Sequence, residues 1–194
     1  MPLSVQDQSP ALSSYLRPET CLAAPHAATL RGLVYQLIGL PARRDLQLDE
    51  ELLIDQLSEL GLFQRGTELT RGRELFFGEG EALRLTSVAR SGDWQVIYSE
   101  AEKLTEPVVC FARYPEGVGV GVDSHSAGVS FNLILLVPAD ARPLGFRLIC
   151  RLNRLKRRWE EQSNRALFEA LGAEEICATF EQAEQQLSLP LEPR

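Results

Sequence analysis

The chain has 194 residues, of which 44% are hydrophobic and 24% are charged, and its formal net charge is −7. This composition is typical of a globular protein that buries a core, and the acidic balance argues against a nucleic-acid binder. No apolar run is long enough to cross a membrane, and the opening MPLSVQDQSP lacks the features of a signal peptide, so we expect a cytoplasmic protein without membrane insertion.

The first third of the chain predicts two helices. The stretch TLRGLVYQLIG carries apolar residues at helical spacing, and Pro41 is expected to end that helix. The stretch DEELLIDQLSELG predicts a second helix, because Asp49 suits its first position and Gly61 suits the position after its end.

The middle of the chain predicts strands. Residues 64–91 are expected to be loops around short elements, with RLTSVAR as a candidate strand. WQVIY and PVVCFARY predict two strands with a turn between them, and YPEG is expected to turn the chain into an edge strand, GVGVGV. GVSFNLILLVP becomes apolar on both faces, which is typical of a strand in the middle of a sheet that helices cover on both sides.

Three helices are predicted after these strands, in PLGFRLICRLNRLKRRWEE, SNRALFEALG and AEEICATFEQAEQQL. The first has an apolar stripe of Leu144, Leu148, Leu152, Leu155 and Trp159. Its basic residues from Arg147 to Arg158 are interpreted as a solvated face, with docking of an acidic partner or a phosphate as the alternative. This order of elements predicts an α/β fold with a single mixed β-sheet flanked by helices on both faces.

Motifs for cofactors and metals are lacking. GEGEA and GVGVGV match neither a P-loop nor a dinucleotide-binding fingerprint. The two histidines, His26 in APHAA and His125 in a predicted turn, have no neighbour that marks a ligand or a base. The cysteines lack the paired spacing of a thiolate site and are interpreted as small buried hydrophobes; they are Cys21, Cys110, Cys150 and Cys177. The sequence therefore predicts no cofactor and no metal.

Four stretches resemble the type-2 IIA domains of the bacterial sugar phosphotransferase system, the mannitol/fructose class, and within it the nitrogen-regulatory IIA proteins. They are LSSYLRPET, DEELLIDQLSE, EPVVCFARYPEGVGVGVDSHSAGVSFNLILLVPAD, and FRLICRLNRLKRR with LFEALGAEEICATF. The resemblance spans residues 12–187, which we expect to form one domain between a flexible segment, 1–11, and a flexible tail, 188–194. It implies the family's mixed sheet, with helices on both faces.

The family's chemistry depends on two histidines that this chain replaces. Family members accept a phosphoryl group from a small phosphocarrier protein on a histidine in the motif G-x-G-I-A-I-P-H, and pass it on or use it as a regulatory mark. Laid without gaps on Gly92, the motif meets GDWQVIYS, so that Tyr98 replaces the proline and Ser99 replaces the histidine. Gly145, in ARPLGF, takes the place of the second histidine.

A reversible relay needs a nucleophile that is partly unprotonated at neutral pH and leaves easily again, as an imidazole does. A serine hydroxyl is a poor nucleophile without an adjacent base, and its phosphoester is too stable for a relay. Phosphoryl transfer also depends on positioning and charge stabilisation, which a glycine side chain cannot supply. The resemblance therefore implies a protein that is not an active phosphotransferase component.

The favoured interpretation is a regulatory domain that binds a protein partner through a surface around Tyr98, Ser99, Gly145 and Arg147. Partners such as the phosphocarrier protein, or a regulated transporter or kinase, follow from the resemblance. Two alternatives stay open. One is an active phosphoryl carrier with another acceptor, such as Ser99 or His125, and the other is a small-molecule or anion-binding module in the remnant pocket. The charged residues that follow Ser99, beginning with Glu100, are interpreted as a solvated loop.

Overall fold

The computed structural model describes residues 10–25, 30–42, 86–101, 104–118 and 129–187. The described strands are β1 (Leu16–Leu22), β2 (Thr86–Ser91), β3 (Trp94–Ala101), β4 (Val108–Val118) and β5 (Val129–Pro138). The described helices are α1 (Leu30–Ala42), α2 (Arg142–Glu161), α3 (Arg165–Glu169) and α4 (Ala173–Leu187), with short 3-10 turns at Leu12–Ser14 and Ala139–Ala141. The predicted α/β class is confirmed.

The described strands form one mixed sheet in the order β1-β4-β5-β3-β2. β5 pairs in parallel with β3 and antiparallel with β4, while the outer pairs are parallel for β1 with β4 and antiparallel for β2 with β3. Every residue of β5 is buried. The prediction of a central strand covered on both faces is therefore confirmed, and a strand in that position requires apolar residues on both sides.

Helices cover both faces of the sheet, as predicted. On one face, α2 and α4 enclose an aromatic cluster in which the rings of Trp94 and Trp159 stack at 5.6 Å and Phe180 meets Trp159 edge-on at 4.8 Å. On the other face, α1 packs Leu33, Val34, Leu37 and Ile38 against the sheet. Side chains alternate along a strand, so neighbouring residues of β3 enter opposite cores.

The apolar stripe of α2 is buried as predicted, although the basic run is not uniformly solvated. Arg147 and Arg157 are exposed, but Lys156 is 9% exposed and its Nζ lies 6.0 Å from the centroid of the Trp94 ring. Burial lowers the pKa of Lys156. Arg151 is also largely covered and forms an ion pair with Glu184.

Two local predictions are wrong, and a third lies outside the described residues. YPEG is not a turn, because β4 continues through it to Val118 and a shift in its pairing with β5 after Arg113 absorbs the extra residues. No strand is predicted over LRPETCL, which forms β1 at the edge of the described sheet. The predicted helix over 49–61 falls outside the described residues. So do residues 119–128, which include most of the predicted edge strand GVGVGV.

A buried carboxylate fastens the start of the domain to its last helix. Glu184, on α4, is 3% exposed and accepts the backbone N–H groups of Leu12 at 2.7 Å and Ser13 at 2.9 Å. It also accepts the Ser13 hydroxyl and pairs with Arg151 of α2. One side chain therefore satisfies the first amides of the 3-10 turn and compensates a largely buried guanidinium.

Replacing this carboxylate should destabilise the domain strongly. Glu184→Ala removes the acceptor of the Leu12 amide and one ion-pair partner of Arg151, and breaking a buried charge pair costs about 3 kcal/mol of unfolding free energy. Urea denaturation measures this loss. The matched control is Glu169→Ala, which breaks the exposed i,i+4 pair with Arg165 and should leave the urea midpoint nearly unchanged. Equal effects of the two substitutions would contradict the assignment.

Candidate functional site

The residues at the motif's proline and histidine positions, Tyr98 and Ser99, lie inside β3 and not in a turn. β3 runs beside β5 in parallel register, with Tyr98 opposite Leu135 and Ser99 opposite Leu136. The pairing continues to Ala101 opposite Pro138, so the strand extends two residues beyond Ser99. The predicted turn at Ser99 is therefore wrong, because the ladder with the central strand keeps this backbone extended.

Ser99 is held in the sheet interior. It pairs with Leu136 of β5 on one side and with Thr86 of β2 on the other, and it is 2% exposed. Since Ile97 belongs to the core beneath α1, alternation along the strand places the Ser99 side chain on the same face. A phosphoryl donor would have to displace that core to reach the hydroxyl.

Tyr98 points to the opposite face and lies against the first turn of α2. The helix approaches the ring where it carries Gly145, and a Cβ built on Gly145 would lie 2.8 Å from the Tyr98 hydroxyl oxygen and 3.0 Å from its Cε2. The same Cβ would meet Cγ1 of Val137 at 3.2 Å. These distances are shorter than van der Waals contact, so no side chain fits at position 145 while Tyr98 occupies this place.

An ion pair between Glu100 and Arg142 lies next to the Tyr98 hydroxyl. The Tyr98 hydroxyl donates to Oε1 of Glu100 at 3.2 Å, and Arg142 donates from Nε to Oε1 at 2.8 Å and from Nη2 to Oε2 at 2.7 Å. The Glu100 side chain is 1% exposed, whereas Arg142 is 40% exposed. This two-point contact is the strong geometry for a guanidinium and a carboxylate. The interpretation of Glu100 as part of a solvated loop is wrong.

The electrostatics of this group favour its present protonation state. Burial raises the pKa of Tyr98, and the negative charge of Glu100 raises it further, so the phenol stays protonated and acts as the donor. The hydrogen bond to Glu100 raises the pKa of Arg142 in turn. The charge of Arg142 is therefore neutralised by an internal carboxylate. A bound phosphate would have to compete with Glu100 for this guanidinium.

The structure divides the four residues of the predicted binding surface. Tyr98 and Ser99 are buried on opposite faces of the sheet, and Gly145 is buried beneath the ring of Tyr98. Only Arg147 is exposed, and its Nε lies 3.4 Å from the carbonyl oxygen of Pro143. The pairing of Glu100 with Arg142 is not predicted by the sequence, because their 42-residue separation gives no local signal.

His26 and His125 both lie outside the described residues. Across the described ranges, no three His, Cys, Asp or Glu side chains come together as metal ligands. Nor does any helix in these ranges have the length and apolar character needed to cross a membrane.

The described residues form an α/β domain whose fold resembles that of a IIA-Ntr protein. The chain is similar to the crystal structure of nitrogen regulatory protein IIA-Ntr from Neisseria meningitidis, with a TM-score of 0.59 and 17% sequence identity. The match covers 87% of this chain and 98% of that one. No family model matches the sequence, and no curated protein matches it. The fold implied by the family resemblance is thus confirmed by structure.

The contact between Tyr98 and Gly145 makes a specific prediction about stability. Gly145→Ala forces a methyl group against the ring and should lower the unfolding free energy by about 1–2 kcal/mol, a typical effect of overpacking. In a Tyr98→Phe background the hydroxyl at 2.8 Å is absent, so the same alanine should cost less. Urea denaturation of the four proteins in this double-mutant cycle measures the coupling.

A second helical glycine provides the control. A Cβ on Gly39, in α1, would meet no atom within 4 Å. Gly39→Ala should therefore stabilise the protein by about 0.5–1 kcal/mol, through helix propensity alone. If Gly145→Ala behaves like Gly39→Ala, the described contact is incorrect.

Proposed function

We propose that this chain is a IIA-like domain of the phosphotransferase-system type that no longer relays phosphate and acts as a cytoplasmic regulatory or protein-interaction module. The observation that carries the proposal is the contact of Tyr98 with Gly145, at the two places where the family resemblance puts the motif proline and the second histidine. A tyrosine ring fills the space that the second histidine would need.

The geometry around this contact supports the loss of the relay. Ser99 has a buried hydroxyl and faces away from Tyr98, so it is poorly placed to receive a phosphoryl group. Arg142 lies at the site, but Glu100 already binds it at two points. An incoming phosphate would meet a filled volume and a carboxylate, and both disfavour the anion. The same features argue against an anion-binding module in this place.

The proposed protein-interaction surface lies on the outer side of the filled site. Phe146 and Arg147 follow Gly145 on α2, and both are exposed, Phe146 by 37%. Aromatic and arginine side chains are enriched in protein interfaces, where they supply contact area and directed hydrogen bonds. We propose that a protein partner, such as a phosphocarrier protein or a regulated transporter or kinase, docks here.

A phosphorylation assay tests the loss of the relay. The protein is incubated with phosphoenolpyruvate, the general phosphotransferase enzyme and its phosphocarrier, and its intact mass is measured under neutral conditions. The expected result is no gain of acid-labile phosphate, because Ser99, at the position of the family's histidine, is buried. A type-2 IIA protein that keeps both histidines, placed in the same tube, should gain one phosphate.

A gain of phosphate by this chain would overturn the proposal. Peptide mapping would then locate the acceptor and decide for the alternative of an active carrier, with His26 and His125 as the first residues to inspect. An acid-stable phosphate on a serine would indicate a kinase modification instead of a relay.

Charge reversal tests the docking surface with the phosphocarrier as the probe. If it docks on the start of α2, Arg147→Glu should weaken binding in titration calorimetry by about tenfold, which is typical of one interfacial charge. Arg158→Glu, at the far end of the same helix, is the charge-matched control and should bind like the unaltered protein. Equal weakening by both would indicate a general charge effect, and wild-type protein that does not bind would exclude the phosphocarrier as the partner.

A further inference from the structure

Two cysteines from opposite ends of the domain lie side by side. Cys21 belongs to β1 and Cys177 to α4, and their Sγ atoms are 3.8 Å apart although 156 positions separate them in the chain. Both thiols are free. A disulfide bond is about 2.05 Å long, so a side-chain movement of less than 2 Å brings the sulfurs to bonding distance. The interpretation of all four cysteines as inert core residues does not anticipate this pair.

The surroundings give the two thiols different roles. Cys21 is 7% exposed beneath α4, whereas Cys177 is only partly buried and is the thiol that a small reagent reaches first. The hydrogen bond between them, followed by burial, raises the pKa of Cys21, and the same hydrogen bond lowers the pKa of Cys177. The greater exposure of Cys177 and its lowered pKa both favour it as the attacking thiolate, with Cys21 as the resolving thiol.

The charges near the pair select the kind of oxidant. The carboxylates of Glu19, Glu174 and Glu181 lie close enough to oppose negative charge on Cys177. They also repel an anionic oxidant such as oxidised glutathione. An uncharged hydroperoxide is not repelled, and it is small enough to approach a partly buried sulfur.

We propose that Cys21 and Cys177 form an oxidative modification site, at which a hydroperoxide converts the two thiols into a disulfide that joins β1 to α4. The Cys177 thiolate attacks the peroxide oxygen, the O–O bond breaks, and a sulfenic acid and hydroxide, or the corresponding alkoxide, result. The Cys21 sulfur then attacks the Cys177 sulfur, and the sulfenic oxygen leaves as water. With hydrogen peroxide, two thiols and one peroxide give one disulfide and two waters.

The position of the bond gives it a physical consequence. It would close a loop that contains almost the whole domain, and long loops gain the most from a cross-link in the unfolded chain. It would also reinforce the junction where β1 and the start of the domain pack against α4. Oxidation is therefore expected to raise thermal stability, and a thiol reductant should reverse the change.

The test uses the full chain with Cys150→Ser, since Cys150 is exposed and would otherwise react with a second molecule. The protein is treated with hydrogen peroxide, remaining thiols are alkylated, and peptides are mapped without reduction. The expected result is one linked peptide pair containing Cys21 and Cys177, a mass about 2 Da lower before alkylation, and a higher melting temperature that dithiothreitol reverses. Oxidised glutathione at the same concentration should react at least tenfold more slowly.

Two further variants separate the pair from general oxidation. Cys177→Ala should abolish both the linked peptide and the rise in melting temperature, while Cys110→Ala should leave both in place because Cys110 belongs to the core on the other face of the sheet. Circular dichroism checks that each variant is folded. The proposal is overturned if peroxide-treated Cys150→Ser protein keeps its three remaining thiols, or if Cys21 and Cys177 are oxidised without being linked.

Discussion

The close approach of α2 to β3 depends on the absence of a side chain at position 145. The helix starts just after the central strand and passes directly over the ring of Tyr98, so that the ring takes the volume which a Cβ would need. In a core packed at this density, the Tyr98 ring and a Cβ at position 145 would overlap unless one of them moved. The described position of α2 therefore relies on a large residue on the strand and glycine on the helix.

This constraint joins two sequence changes that look independent in the chain. On the family resemblance, Tyr98 stands where the motif has proline and Gly145 stands where the second histidine would be. In the fold the two positions touch, so a side chain at position 145 would crowd the tyrosine ring. Glu100 and Arg142 extend the same arrangement, since the carboxylate accepts the tyrosine hydroxyl and binds the guanidinium at two points. Hydrogen bonds thus join Tyr98, Glu100 and Arg142, and Gly145 packs against the tyrosine ring.

Much of the fold could be predicted from local patterns, because burial leaves a periodic record in the sequence. The fully buried strand β5, which is mostly apolar, and the apolar stripe of α2 follow from the two periodicities of strand and helix. β1 left no such record, since its exposed residues are consecutive and not alternating. YPEG contains common turn residues, but an irregularity in the pairing of β4 with β5 keeps it in the strand.

The site was predictable only in part, for a related reason. The family resemblance pointed to Tyr98, Ser99 and Gly145, but not to their orientations or their burial. Strand alternation sends Tyr98 and Ser99 to opposite faces, so they cannot form one surface. The pairing of Glu100 with Arg142 depends on the strand and the helix meeting in space, which no local pattern encodes. The charges after Ser99 therefore looked solvated, although one of them is a buried acceptor.

The central claim is that Tyr98 fills the site by lying against Gly145, and a crystal structure of the unaltered protein tests it most directly. We expect clear density for the Tyr98 ring in contact with the Gly145 backbone. The Tyr98 hydroxyl should be hydrogen-bonded to Glu100, and Arg142 should bind the same carboxylate. A Tyr98 side chain rotated towards solvent, with an open cleft above Gly145 and Arg142 separated from Glu100, would contradict it.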